Sequence, residues 1–456
     1  NSLKIYQDKI NFKSLNTFKL AKFDDEIYKN INFSKLGEII ENNNLLLASE
    51  RKKIDQYKNN LSITYSKYKP NVGLSADGLP KFSVGEGNNP KNETKELKAS
   101  LSATINYKLY DPVKSSSIDI AKNEIYLSEI KYKILKNKIL SEAQRKYIDL
   151  QLANEKVKIA SNAVRLSESS LVDAKKLNQA LILSDVEVLE AESQLSRDQQ
   201  FLQEKNSELE IAIISLSEIL GINKNFINKI FTKNQIVGVW EMDISDSIRF
   251  AKSNSNEIRK LKKDLQISKK KNDRELSKSK PSFNLTNKIS SSLNQGQRRV
   301  SNINFDNNGS EYENVIGLNA KWNFYNGGKN KFIRKFNKNI EKEFDYKIKD
   351  TENKIKAKVL EHFESYKSSF ANIISSLNLV RKNKKILKIS RLRFNAGVAS
   401  QREIINNQRD LTQAKIFHAN SISTYNRRLI DLKEITNIDN LRICTNQDNQ
   451  KIKVNN

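Results

Sequence analysis

Leu101-Ser102-Ala103-Thr104-Ile105-Asn106-Tyr107-Lys108-Leu109 alternates without a fault: every odd position is apolar and every even one polar. Ile316-Gly317-Leu318-Asn319-Ala320-Lys321-Trp322-Asn323-Phe324 repeats the pattern, with Gly317 neutral. Phe283, Leu285, Ile289 and Leu293 form a looser set, and Val72, Leu74 and Ala76 a shorter one. Period-two alternation puts the apolar side chains on one face of a strand. Two hairpins are therefore expected, near 70–110 and 282–325, each with one apolar and one polar face. Hairpins in a chain otherwise built of helices have open edges that something must close. One closure is a soluble β-sandwich, with the apolar face on its own core. The other is a transmembrane β-barrel shared among subunits, with strands about 9–11 residues long and aromatics at the membrane interfaces. Tyr107, Tyr110, Trp322 and Tyr325 sit where each strand returns to a helix, which suits a girdle of that kind.

Outward from the strands the chain loses its helix breakers. Gly is absent from Val113 to Leu220 and from Lys329 to Ala396, and no Pro occurs beyond Pro281. Pro breaks helix interiors and Gly weakens them. Long helices are expected at 113–177, 184–220, 329–393 and 401–436. Ala143, Leu150, Val157, Val164 and Leu171 recur every seven residues, as do Val359, Tyr366, Ile373, Val380, Leu387 and Phe394. That spacing favours left-handed packing against neighbouring helices. At about 1.5 Å per residue, Val113 to Leu177 would span roughly 100 Å. An elongated object of that kind fits a shared barrel better than a globule.

Composition narrows the function classes. The chain has 456 residues, a formal net charge of +27, 37% hydrophobic and 29% charged residues. One core of this size would be poorly filled. The lone cysteine, Cys444, excludes an intramolecular disulfide framework, and two histidines, His362 and His418, exclude a His-rich metal site. Both histidines read as helix-packing residues. No run of 18 apolar residues occurs, so no transmembrane helix is expected. No Ser/His/Asp constellation, phosphate loop or Cys/His metal spacing appears. The expectation is a protein with no catalytic residues, no cofactor and no metal. The basic runs Lys260-Leu261-Lys262-Lys263, Lys269-Lys270-Lys271 and Arg381-Lys382-Asn383-Lys384-Lys385 raise a basic helical nucleic-acid-binding protein as an alternative. They are scattered among acids and heptad positions, so no nucleic-acid partner is expected. A long structural coiled-coil protein is the other alternative, and it has no use for two alternating hairpins.

The chain also reads as written twice. Lys69-Pro70 and Lys280-Pro281 precede the strands of each half, and Tyr107, Leu109, Tyr110 and Trp322, Phe324, Tyr325 end them. Leu177-Asn178-Gln179-Ala180 faces Phe394-Asn395-Ala396-Gly397. Leu216-Ser217-Glu218-Ile219-Leu220 and Leu432-Lys433-Glu434-Ile435-Thr436 close the halves. The expected organisation is an N-terminal extension at 1–32, a first repeat at 33–222, a linker at 223–244, a second repeat at 245–438 and a polar tail at 439–456. The fold class is mainly α with a small β part, a duplicated strand-strand-long helix-helix repeat.

These segments, from about Phe33 to Ile438, resemble the TolC family of outer-membrane efflux and type I secretion channels. Trp322-Asn323-Phe324-Tyr325-Asn326-Gly327-Gly328 is similar to the family's segment where the last strand of a repeat enters its long helix; Tyr110-Asp111-Pro112 is the first repeat's version, without the Gly pair. Phe394-Asn395-Ala396-Gly397-Val398-Ala399-Ser400 is similar to the family's turn between the two lower helices. Glu403-Ile404-Ile405 and Gln408 come next, where the family has an acidic residue, two apolar residues and a Gln or Glu. The first repeat offers Ser184, Glu187, Val188, Leu189 and Glu192, with one extra residue before Ser184 and Ala180 near the expected Gly. The resemblance implies a homotrimer in the outer membrane of a Gram-negative bacterium. Each copy would give four strands to a 12-stranded barrel in outer-membrane lipid, continued by a long α-helical barrel across the periplasm. It implies as partners a periplasmic adaptor (membrane fusion) protein and an inner-membrane transporter of ABC or RND type. It also implies a pore constriction at the tapered end, with Glu187 and Glu403 on the acidic positions and Asn406 where some members have a further Asp. Phe394, Gly397, Ser400 and Ser184 would form the inter-helix turns. Phe394 and Ala399 fall where other members carry polar latch residues.

Overall fold

The sequence pattern becomes four long helices and one small sheet. The computed structural model describes residues 32–88, 91–227, 233–301 and 303–438. Most of the expected N-terminal extension, the polar tail and Cys444 lie outside the described residues. In chain order the elements are α1 (Leu36–Asn43), α2 (Leu45–Ser66), β1 (Asn71–Asn88), β2 (Lys91–Tyr110), α3 (Lys114–Gln179), α4 (Asp185–Leu220), α5 (Lys224–Ile227), α6 (Ile244–Asn254), α7 (Asn256–Ser277), β3 (Ser282–Val300), β4 (Ile303–Asp306), β5 (Gly309–Lys321), α8 (Lys329–Asn395) and α9 (Gln401–Thr436). Two short-to-medium helices, a hairpin, a very long helix and a 36-residue helix thus occur twice.

Contacts divide the chain into two units that do not coincide with its two halves. The first takes the described residues up to Ala48, then Leu135–Ser255, then Ile355 onward. The second takes Ser49–Ile134 and Asn256–Lys354. Each unit draws on both halves of the sequence.

In the first unit, apolar positions of the helices supply the core. Ala143, Leu150, Val359, Ile373 and Leu387, all heptad positions, are buried. An extended segment, Gln235–Trp240, is tied to α9. Asn426 accepts from the Val237 N–H and donates to the Gln235 carbonyl, and the fully buried Tyr425 donates its hydroxyl proton to the Gly238 carbonyl at 3.1 Å. Val237 and Trp240 pack there on Leu429 and Leu432, and the Trp240 indole N–H reaches Ser247 at 3.0 Å. Buried polar backbone is thereby satisfied without secondary structure. Gly221 ends α4 at φ +67°, where a Cβ would lie 2.6 Å from the Asn43 carbonyl oxygen, so only glycine admits this approach.

The second unit holds the sheet. β1 pairs with β2, β2 with β3, and β3 with both β4 and β5, all antiparallel. β1, β2 and β3 have 18, 20 and 19 residues, so β1 and β2 fill the expected 70–110 hairpin and each strand is about twice the 9–11 residues that cross a bilayer. The reason is chemical: past Ala99 and Leu293 the alternation gives way to Lys95, Glu96, Gln295, Gln297 and Arg298, so the hairpins continue beyond their apolar band. The last strand ends at Lys321, before the expected 324–325. There Trp322 turns its indole N–H to the Ser279 carbonyl at 3.1 Å, and Asn326 donates to the Ser279 hydroxyl. The turn between α7 and β3 thus captures residues that the alternation alone assigns to a strand.

Candidate functional site

Residues directly opposite each other in antiparallel strands point to the same side. The register joins Val72 to Ile105, Leu74 to Ala103, Tyr107 to Leu285, Ala103 to Ile289, Ala99 to Leu293, and Leu285 to Leu318. All alternating apolar residues therefore share one face. The opposite face is polar across its width: Ser75 and Ser102 hydroxyls meet at 2.8 Å, Thr286 donates to Asn106, Asn319 donates to Thr286, and Ser290 donates to Glu313. Among the described residues nothing covers the apolar face. Val72 and Leu318 are each 66% exposed, and Leu74 is 79% exposed. The outer edges of β1 and β5 have no strand partner among the described residues.

The four aromatics expected at a membrane interface come together at the helical end of this sheet. Tyr107 and Tyr110 lie at the end of the β2 ladder, and Trp322 and Tyr325 come just after β5; all four are exposed. Tyr110 stands 6.3 Å from the ring of Phe283, and Trp322 stands 6.0 Å from Phe324 in an edge-to-face pair. Phe283 and Phe324 thereby extend the set of aromatics at this end of the sheet.

Two inter-helix turns form the second part of the site, both in the first unit. After α8, Gly397 takes φ +74°, its N–H bonds the Phe394 carbonyl at 2.9 Å, and the Val398 N–H bonds the Arg393 carbonyl. After α3, Leu181 takes φ +60°, its N–H bonds the Asn178 carbonyl, and the Ile182 N–H bonds the Leu177 carbonyl. The hydrogen bonds correct the sequence alignment of these turns. Asn178 corresponds to Phe394 and Leu181 to Gly397, with no extra residue before Ser184; Ala180 is not the glycine counterpart. Leu181 and Gly397 are 216 positions apart, as are Ser184 and Ser400.

Each turn then opens a helix with a serine cap. The Ser400 hydroxyl accepts from the Glu403 N–H at 3.3 Å, and both the N–H and the hydroxyl of Ser184 bond the Glu187 carboxylate at 3.2 Å. Ser, then Glu three residues on, is the capping-box arrangement. Phe394 packs against the cluster of Leu387, Ile404 and Leu411. Among the expected constriction residues, Glu187 is thus held by its cap, Glu403 accepts from Arg393 at 3.0 Å, and Asn406 accepts from Arg409 at 2.8 Å. Arg402 pairs with Glu190 across α9 and α4, and Gln401 donates to Ser170 of α3, which brings the two turns to one end of the unit. A groove of about 430 Å³ runs between them, lined in part by Val186, Leu189, Arg197, Arg402 and Arg409. Sequence reasoning missed these three arginines, because single basic residues on highly charged helices carry no motif.

His418 lies on α9 with Nδ1 2.9 Å from the Ser376 hydroxyl of α8, and burial pushes its pKa down. It acts as a packing residue between two helices. Among the described residues no helix is long and apolar enough to cross a membrane, and no group of three His, Cys, Asp or Glu side chains could hold a metal ion.

Comparison of the whole chain with solved structures decides the fold. It superposes on CusC with a TM-score of 0.70 at 15% identity, covering 89% of this chain and 91% of that one. It has a TolC-like fold. The Vibrio cholerae outer membrane protein VceC gives a TM-score of 0.69 at 12% identity, with 89% and 95% covered. The Campylobacter jejuni CmeC outer membrane channel gives 0.69 at 16%, with 93% and 90% covered. No protein-family model matches the sequence, and no curated protein does. The TolC-like fold therefore persists here at a level of identity where only the pattern of elements survives.

Proposed function

We propose that this protein is an outer-membrane channel whose pore is completed by three copies. The observation that carries the reading is the sheet: one face apolar and uncovered, the other polar, with both outer edges unpaired among the described residues. In lipid every backbone group must be paired, so a spanning sheet must close on itself. β4 and β5 follow one another along the same edge of β3 and count as one strand, so each copy has four, which cannot close alone, whereas three copies supply twelve, apolar face to lipid and polar face to the bore. The aromatics at the helical end mark one membrane interface. The likeness to CmeC, described as an outer membrane channel, supports the same reading.

We assign to the helices the periplasmic part of the bore and to the two turns its constriction. Glu403, Glu187 and Asn406 are the residues we assign to the constriction, with Arg393 clamping Glu403. Charged rings at such a point set which solutes pass. The channel does no chemistry, so energy comes from an inner-membrane transporter of ABC or RND type coupled through a periplasmic adaptor. The cargo is small molecules, proteins, or both. Planar-bilayer recording tests the channel directly: detergent-extracted protein should migrate as a trimer and give a large conductance, restricted from one side. A monomer that stays in solution without detergent would overturn the reading.

A further inference from the structure

The stretch of sheet with the apolar face, at 71–77, 99–110, 282–293 and 310–321, contains six charged residues: Asp77, Lys108, Lys288, Glu311, Glu313 and Lys321. The register puts all six on the polar face. Lys108 pairs with Asn284, Lys288 with Thr104, and Lys321 with Ser282. Glu313 and Glu311 pair with Ser290 and Ser292, and those rows continue through Ser102 and Ser100 to Ser75 and Asp77. The apolar face of the same stretch carries no charge.

The signs are sorted along the strands. Counted on β3, the three bases stand level with positions 282, 284 and 288, toward the helices, and the three acids level with 290 and 292. At about 3.3 Å per residue the two extremes are about 33 Å apart along the strand. All six are exposed. Lys108 is held by Asp111 at 3.0 Å. The other five have no ion pair among the described residues, although Lys288 and Glu313 occupy neighbouring rows of the same face. A charge without a partner projects its field into the space it faces. Further out, past Ala99 and Leu293, the same face carries Lys81, Lys98, Glu96 and Arg298, where the signs are mixed.

We propose that the polar face of the sheet is a filter of two signs: in the closed barrel Lys288 and Lys321 form a basic band beside the helices, and Asp77, Glu311 and Glu313 form an acidic band beyond it, so that ions pass more readily under one direction of the field than under the other. The proposal rests on the reading above that this face lines the bore, and it adds to the constriction at the turns a second place where charge selects. Mobile anions gather in a basic band and cations in an acidic one. A field that drives anions in from the helical side and cations in from the far side fills the bore with carriers. The opposite field sweeps both out. Current is therefore larger when the far side is positive.

The test is single-channel recording of the full chain in a planar bilayer, with protein added from one side. The ratio of currents at opposite voltages should be greatest at about 0.1 M salt and fade at about 1 M, as the screening length falls from about 10 Å to about 3 Å. Under a salt gradient, K288E/K321E should shift the reversal potential toward cation selectivity, and E311K/E313K should shift it toward anion selectivity. K288Q/K321Q and E311Q/E313Q should give smaller shifts of the same signs, and they keep the test in force if a reversal fails to assemble. A wild-type asymmetry that ignores salt, or variants with the wild-type reversal potential, would overturn the filter and leave the channel standing. So would lysine and glutamate variants that shift the potential the same way. A wild-type protein without conductance removes the channel and the filter together.

Discussion

Leu181 occupies a backbone position that suits glycine, while its counterpart Gly397 has the residue the position calls for. A left-handed conformation costs a residue with a Cβ about 1–2 kcal/mol. No atom lies within 4 Å of a Cβ built on Gly397, so G397A should destabilise by backbone strain alone, by about 1 kcal/mol. L181G should stabilise by a similar amount, since the Leu181 side chain is 94% exposed and gives up little packing. Thermal melts of the two variants, read against wild type, check both signs. The misplaced alignment of the first turn traces to this same residue. A leucine at positive φ leaves no compositional mark, so Ala180 looked like the counterpart of Gly397, and an extra residue was needed to reach Ser184. In the structure Ser184 and Ser400 each cap a helix with an acid three residues on, but those serines, Glu187 and Glu403 were legible only through the family resemblance. The ion pair of Glu403 with Arg393 was not, because ten positions separate them across a turn. Breaking it with E403A leaves Arg393 unopposed at the turn. Single-channel conductance of E403A should then differ from wild type in size or selectivity, and an unchanged record would remove Glu403 from the constriction.

At the scale of elements, the sheet was the most legible part, since alternation and pairing register are two views of one period. Its reach past the apolar band was less so, because polar residues on both faces look like loop until a partner strand is known. The two faces should respond to the same charge in opposite ways. I105K or L318K, on the apolar face, should cost about 2–4 kcal/mol in the bilayer and reduce the amount of trimer recovered from membranes. S102K, on the polar face of β2, should assemble as wild type. The helical pairing offers a pH-dependent counterpart. Burial opposes ionisation of Glu208 on α4, yet hydrogen bonds from Lys205 and from Lys156 of α3 outweigh it and hold the carboxyl below its ordinary range. A carboxyl with a lowered folded pKa contributes stability above its unfolded value and loses it as pH falls through the folded one. E208Q should therefore be less stable than wild type at neutral pH, with the difference shrinking in acid. Chemical denaturation at several pH values measures it.

At the scale of the molecule, element order was enough to find the fold at 12–16% identity. The spatial units were not legible, because each is assembled from both halves and the two longest helices, α3 and α8, are divided between them. The outer edges of β1 and β5, unpaired among the described residues, have a further consequence under the trimeric reading. Each copy would then be one third of a wall and no wall by itself. A single faulty copy, one carrying L318K for example, would spoil any pore that admits it. Cells making sound and faulty chains together should then lose far more function than the fraction of faulty chains, so such alleles should act as dominant poisons.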